Sequence, residues 1–233
     1  MRLRIAQVAP VATTLPPPRS GSIETMTALL ADGLVARGHD VTLFATAGSR
    51  TAATLHATFE RGYNEDDTMW PWEQCELFNI AAAIERAADF DVIHCQAEYH
   101  PMALAFTRLT PTPVLQTLHH LPAPTEVAIW TRYSNAPFVA VSQEQARALA
   151  PLHIVGTVHH AIDMTSFVFR KDPDDYLLFL GRFTEGKGVL QAIAVAQRTG
   201  MRLVLAAAKN EYYEREVAPL VDGTQIVYAG ELE

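Results

Sequence analysis

Gly181-Arg182-Phe183-Thr184-Glu185-Gly186-Lys187-Gly188 follows directly on the apolar run Tyr176-Leu177-Leu178-Phe179-Leu180. Beyond it, Val189, Ile193 and Ala196 recur at helical spacing. The order is therefore a buried strand, a loop carrying a guanidinium and an ammonium five residues apart, and the start of a helix. Free N–H groups at the positive end of that helix add to the pull of both cations on an anion. A fold can hold a diphosphate in this way. The same residues also describe a surface loop with two solvated charges, and the rest of the chain decides between the two.

Outward from this loop, strands and helices alternate, the pattern of a parallel sheet covered by helices. Leu3 to Val8 reads as a central strand, followed by a long loop with Pro16-Pro17-Pro18. Ser22 stands as the expected helix cap, with Ile23, Met26, Leu30 and Leu34 on one face and Gly38 ending the helix. Asp40 to Ala45 is the second strand, and Ser49 to Met69 reads as polar and irregular. Trp72 to Ala88 is expected as a helix, and Asp91 to Cys95, Val114 to Leu118 and Phe138 to Val141 as strands. Ser142-Gln143-Glu144-Gln145 has the Ser-x-x-Gln form of a capping box. Ile154 to His159 closes this first series. Asp163 to Asp175 reads as a polar linker, and a second series follows: strand 176–180, helix from Lys187, strand 202–207, helix near 212–218 and strand 225–228.

The 233 residues suit one large or two small domains. Hydrophobic residues make up 49% and charged residues 19%, which suits packed cores rather than disorder. With 18 basic against 26 acidic residues and no Lys/Arg-rich block, net charge −8 speaks against non-specific nucleic-acid binding. Cys75 and Cys95 lie in different elements without metal-ligand spacing and read as reduced thiols of a cytoplasmic protein. The apolar run near Met1 is too short for a signal peptide, and no run approaches the length of a transmembrane segment. A dinucleotide-dependent dehydrogenase would need Gly-x-Gly-x-x-Gly directly after the first strand. That place holds Val11-Ala12-Thr13-Thr14-Leu15.

Six segments, in order, carry a resemblance. They are the opening through Gly21-Ser22-Ile23-Glu24 and Gly38-His39-Asp40-Val41, then Asp91-Val92-Ile93-His94, Thr117-Leu118-His119, Val139-Ala140-Val141-Ser142, Val158-His159-His160-Ala161-Ile162-Asp163, and Leu180-Gly181-Arg182 with Lys187-Gly188. Together they resemble a family-4 glycosyltransferase of the GT-B architecture. The resemblance implies an α/β fold: a Rossmann-like N-terminal, acceptor-side domain over residues 1–165 and a partial nucleotide-sugar domain over 166–233. It implies transfer of a sugar from a nucleotide-activated donor to a small-molecule acceptor with retention of configuration. By resemblance, Arg182 and Lys187 bind the donor diphosphate, Gly21 lets backbone approach the donor, and His119 faces the donor sugar as the catalytic-site histidine beside the Gly21 loop. Glu24 could contact an acceptor hydroxyl, although an acidic residue in a first turn is already explained by the helix dipole.

No cofactor is implied, the nucleotide-sugar being a substrate. A metal is not expected either, because neighbours within His119-His120 or His159-His160 point to opposite faces of an extended segment. Three departures stand out: Ser22 in place of a second loop glycine, Ala161 in place of a crossover glycine, and no later Glu-rich donor motif. The chain therefore reads as truncated. The alternative is a non-catalytic or half-enzyme subunit, a homodimer or one half of a complementing pair. A nucleotide-sugar epimerase on the same architecture is a third reading.

Overall fold

The computed structural model describes residues 1–19, 21–97 and 100–232. It divides into two compact units, Met1–Met164 and Thr165–Glu233. The first is built on strands β1 (Arg4–Val8), β2 (Asp40–Thr46), β3 (Thr54–Phe59), β4 (Val92–Ala97), β5 (Val114–Leu118), β6 (Pro137–Ala140) and β7 (His153–Thr157). All pair in parallel, in the order β3-β2-β1-β4-β5-β6-β7. Helices α1 (Ser22–Ala36), α2 (Trp72–Glu85), α3 (Pro124–Trp130) and α4 (Gln143–Ala148) form the connections.

The central strands are rich in apolar residues on both sides because helices cover both faces of the sheet there. Ala6, Val8, Phe44, Ile93 and Cys95 pack with Ile80 and Ala83 of α2. Ile5, Val41, Leu43 and Ala45 point the other way, onto Ala28 and Ala31 of α1. A third cluster joins Leu118 and Phe138 to Trp130 of α3 and to Leu149. Fully burying a side chain such as Phe44 contributes about 1.5–3 kcal/mol. Cys75 and Cys95 are both buried and unbridged.

Several expectations are corrected. Ser22 is not the cap of α1. Gly21 takes that position, its carbonyl already accepting from Thr25 N at 3.0 Å, so Ser22 is the first helical residue. The segment read as irregular contains β3, whose Thr-Leu-His-Ala-Thr-Phe pattern is that of a half-exposed edge strand. The sequence reading also passed over α3, which opens with Pro124 in its first turn while Glu126 reaches back to Ala123 N at 2.7 Å. The end of α1 behaves as read: Gly38, at φ 86°, donates to Val35 O at 2.8 Å, and His39 N to Leu34 O at 3.2 Å.

The second unit holds β8 (Leu177–Leu180), α5 (Val189–Thr199), β9 (Leu203–Ala206) and β10 (Ile226–Gly230). Its parallel sheet has the order β10-β9-β8. The helix expected from Lys187 starts two residues later. Glu185–Lys187 form a short 3-10 turn, and Gly188 (φ 78°, ψ 28°) breaks the path before α5. The helix near 212–218 is one wide π-type turn, Tyr213–Val217, followed by a 3-10 turn. Phe183, Ile193, Leu203, Leu205, Tyr213 and Ile226 form the core of this unit. The segment read as a polar linker is exposed, and alongside its polar residues Phe167, Val168 and Phe169 also lie open to solvent.

Candidate active site

In the first unit, the strand order reverses between β1 and β4, the topological switch point beside which open parallel sheets bind ligands at their carboxyl ends. Gly21 and His119 both belong to segments that leave carboxyl ends, of β1 and β5 respectively. His119 follows β5 immediately and lies in a chain of polar groups. Its Nε2 is 2.9 Å from Gln96 Oε1, and its Nδ1 is 2.9 Å from His160 Nε2. Gln96 Nε2 is 3.2 Å from His94 Nε2, which in turn is 2.8 Å from Thr117 Oγ1.

This arrangement fixes tautomers. Gln96 Oε1 can only accept, so His119 carries its proton on Nε2 and its Nδ1 accepts from His160. Gln96 Nε2 can only donate, so His94 Nε2 accepts. Burial pushes His94 down to about 4 and His119 down to about 3, the neighbouring histidines lowering His119 further. The ring of His119 is therefore neutral at physiological pH. Both of its nitrogens are engaged within the protein, and a substrate hydroxyl reaching either one must replace His160 or Gln96. His160, which is exposed, is the cheaper to displace.

The His119–His160 contact, with ring centroids 5.0 Å apart, corrects the argument made from adjacent histidines. That argument looked within each pair, whereas the fold joins one ring from each. Among the described residues no group of three or more His, Cys, Asp or Glu could hold a metal ion.

The His119 segment is held from beneath by a residue singled out in the sequence only as a capping partner. Gln145 is buried, and its Nε2 donates to Leu118 O at 2.9 Å and His120 O at 2.7 Å, the carbonyls flanking His119. Its Oε1 accepts from Val141 N at 2.8 Å, while its own N–H donates to Ser142 Oγ at 3.1 Å. The Ser-x-x-Gln signal thus caps α4, but the Gln side chain reaches Val141 rather than closing the box on Ser142.

Gly21 and Glu24 are explained by each other. A Cβ on Gly21 would stand 2.8 Å from Glu24 Oε2 and 2.9 Å from Pro17 Cβ, so the close approach that the structure shows there is to protein. Glu24 is buried. Gln7 and Gln116, both wholly buried, have side-chain amides without a hydrogen-bond partner among the described residues.

In the second unit, Arg182 and Lys187 are exposed on either side of an anchor, the fully buried Phe183. Its ring packs on Phe179, Tyr213 and Tyr228 at centroid distances of 6.0, 5.0 and 6.2 Å. Asn210 pins the loop, donating from Nδ2 to Phe183 O at 2.9 Å while its Oδ1 accepts from Tyr213 N at 2.9 Å. Among the described residues neither Arg182 nor Lys187 enters an ion pair. Lys209, shortly after the carboxyl end of β9, is a further cation that sequence reading missed. Its Nζ lies 5.2 Å from the Tyr213 ring centroid and 5.1 Å from that of Tyr228.

A seven-stranded parallel sheet in this order, followed by a second parallel α/β unit, is the architecture of GT-B glycosyltransferases. The model of Glycosyltransferase Family 4 matches residues 23–166, and the chain belongs to that family. Among solved structures it is similar to AviGT4, a glycosyltransferase involved in avilamycin A biosynthesis, with 24% identity and a TM-score of 0.64 over 99% of this chain and 64% of that one. A glycosyltransferase from Rickettsia africae ESF-5 matches over 100% of this chain and 69% of its own, with 17% identity and a TM-score of 0.65. MurG from Acinetobacter baumannii matches at 13% identity with a TM-score of 0.50, over 99% and 66%. The chain thus spans under two thirds of the length of AviGT4. No curated protein matches it in sequence. Among the described residues no helix is long and apolar enough to cross a membrane.

Proposed function

We propose that the protein transfers a sugar from a nucleotide-activated donor to an acceptor hydroxyl with retention of anomeric configuration. The observation that carries this is the pair of exposed cations in the loop after β8, without an ion pair among the described residues, in a chain belonging to a glycosyltransferase family. Arg182 suits bidentate hydrogen bonding to phosphate, and Lys187 acts as a mobile point charge. Together they stabilise the charge that grows on the leaving diphosphate. The bond from the anomeric carbon to the diphosphate oxygen breaks, the acceptor oxygen bonds to that carbon on the same face, and the acceptor proton passes to the departing diphosphate.

His119 fits the role of hydrogen-bond partner to a donor-sugar hydroxyl rather than that of general base. A ring held near pKa 3 is too weakly basic to draw a proton from an alcohol at neutral pH. Calorimetric titration of nucleoside diphosphates into the whole chain tests the reading. Binding should be weak and should fall at least tenfold in Arg182→Ala. Unchanged binding by the double variant Arg182→Ala, Lys187→Ala would sink it.

A further inference from the structure

The second unit carries a cation that the reading above leaves unused. Gly181 N donates to Ala206 O at 3.3 Å across the paired ends of β8 and β9, so the Arg182–Lys187 loop and the segment after β9 leave the sheet side by side. Asn210 ties the two a second time, through its 2.9 Å bond to Phe183 O. Lys209 immediately precedes that tie. Open parallel sheets take their ligands at this carboxyl edge.

The Lys209 ammonium is seated on the same aromatic cluster that anchors the loop. Tyr213 and Tyr228 stand 4.9 Å apart, with Nζ 5.2 and 5.1 Å from their centroids, and Phe183 packs on the two rings at 5.0 and 6.2 Å. The rings themselves are fixed. Tyr213 is buried and its N–H donates to Asn210 Oδ1 at 2.9 Å, while the Tyr228 hydroxyl donates to Ala207 O at 2.9 Å.

A ring face attracts a cation without using all of its donors, and Lys209 is exposed, so N–H groups remain for another partner. No carboxylate of the protein takes that place. Glu185 and Glu211 stand in the same two loops, yet among the described residues Lys209, like Arg182 and Lys187, enters no ion pair. Seating a long, flexible side chain before a ligand arrives also removes part of the ordering cost of binding.

We propose that Lys209 is a third cation of the diphosphate site, donating to a phosphate oxygen from its seat on Tyr213 and Tyr228. The assignment of that diphosphate to a sugar donor rests on the glycosyltransferase reading above.

Sodium pyrophosphate, which carries the diphosphate without base or sugar, is the probe, titrated calorimetrically into the whole chain. Lys209→Gln should weaken it by about tenfold, the loss of one charge-assisted hydrogen bond. Lys209→Met keeps the stem over the rings and should weaken it equally. Lys209→Arg keeps both the charge and the ring contact and should restore binding to within about threefold of the parent. Arg198→Gln removes the same charge from the last turn of α5 and should leave binding unchanged. Circular-dichroism melting shows which variants are folded, and the comparison of Met with Arg holds if the Gln variant is not. Parental binding by the Gln and Met variants would overturn the assignment, as would an equal loss in Arg198→Gln. If Arg182→Ala loses pyrophosphate while the Lys209 variants keep it, the assignment falls and the glycosyltransferase reading stands. Failure of the parent to bind pyrophosphate overturns both.

Discussion

His94 shows how a residue's chemistry is set by its surroundings. The sequence marks it only as the end of an Asp-Val-Ile-His strand, yet burial holds its imidazole at about 4 instead of the usual 6.5. In the unfolded chain the ring takes up a proton as pH falls below 6.5; in the fold it does so only near 4. The unfolded state therefore binds more protons across that window. The stability this neutral ring contributes is present above pH 6.5 and is lost as pH falls from 6.5 to about 4. His119 adds a loss of the same sign that continues to about 3. We predict that His94→Gln flattens the decline in unfolding free energy between pH 7 and pH 4.5, measured by urea denaturation, by about 2 kcal/mol over the window. Carboxylates also weaken the protein in acid, so the difference between variant and parent is the quantity that decides. Parallel curves would refute the assignment. His119 itself was legible as a histidine at a strand's carboxyl end. Its partners Gln96 and His160 were not, because they lie 23 and 41 residues away in the chain.

At the scale of elements, the loop after β5 has its shape because α4 holds it. Gln145 bonds both carbonyls that flank His119 and is itself placed by the Ser142 cap. Gln145→Leu leaves those carbonyls and Val141 N without their partner in a buried setting, at a cost of about 2–3 kcal/mol. Urea denaturation should show that loss, and the ¹⁵N shifts of His119 should move towards mixed tautomers. A variant as stable as the parent, with His119 unchanged, would show that the staple is incidental. The capping pattern was readable from Ser142 and Gln145, but the direction of the Gln side chain was not. A capping box satisfies donors within one helix, whereas here the amide serves a neighbouring strand. β3 escaped notice for a related reason: an edge strand buried on neither face lacks the apolar run that marks a central one.

Across the whole molecule, the two units differ in how deeply their sheets are covered. β1 and β4 lie inside seven strands with helices on both faces, whereas β8 forms the edge of a three-stranded sheet and leaves Leu178 and Leu180 52% and 69% exposed. A unit of roughly 70 residues also buries a smaller share of its surface than a larger one. Hydrogen exchange should therefore be faster at the amides of β8 and β9 than at those of β1 and β4, by at least tenfold in protection factor. Equal protection in the two units would show this wrong. The exposed backbone and apolar side chains of β8 also give it the character of an edge prone to pairing. Leu180→Lys should suppress any concentration-dependent growth in size seen by light scattering.

The sequence by itself determined the alternation of strands and helices, the two-part organisation, and the strand-loop-helix plan that puts Arg182 and Lys187 beside the start of α5. Apolar runs, turn glycines and caps act over a few residues and can be read locally. The tertiary structure alone decided what meets at the carboxyl ends. It joined His119 to His160 and Gln96, and set Gln145 beneath them. Those contacts depend on parallel register across β1, β4 and β5, whose crossovers separate neighbouring groups by tens of residues. A pattern with a period of two or 3.6 residues cannot encode such a meeting.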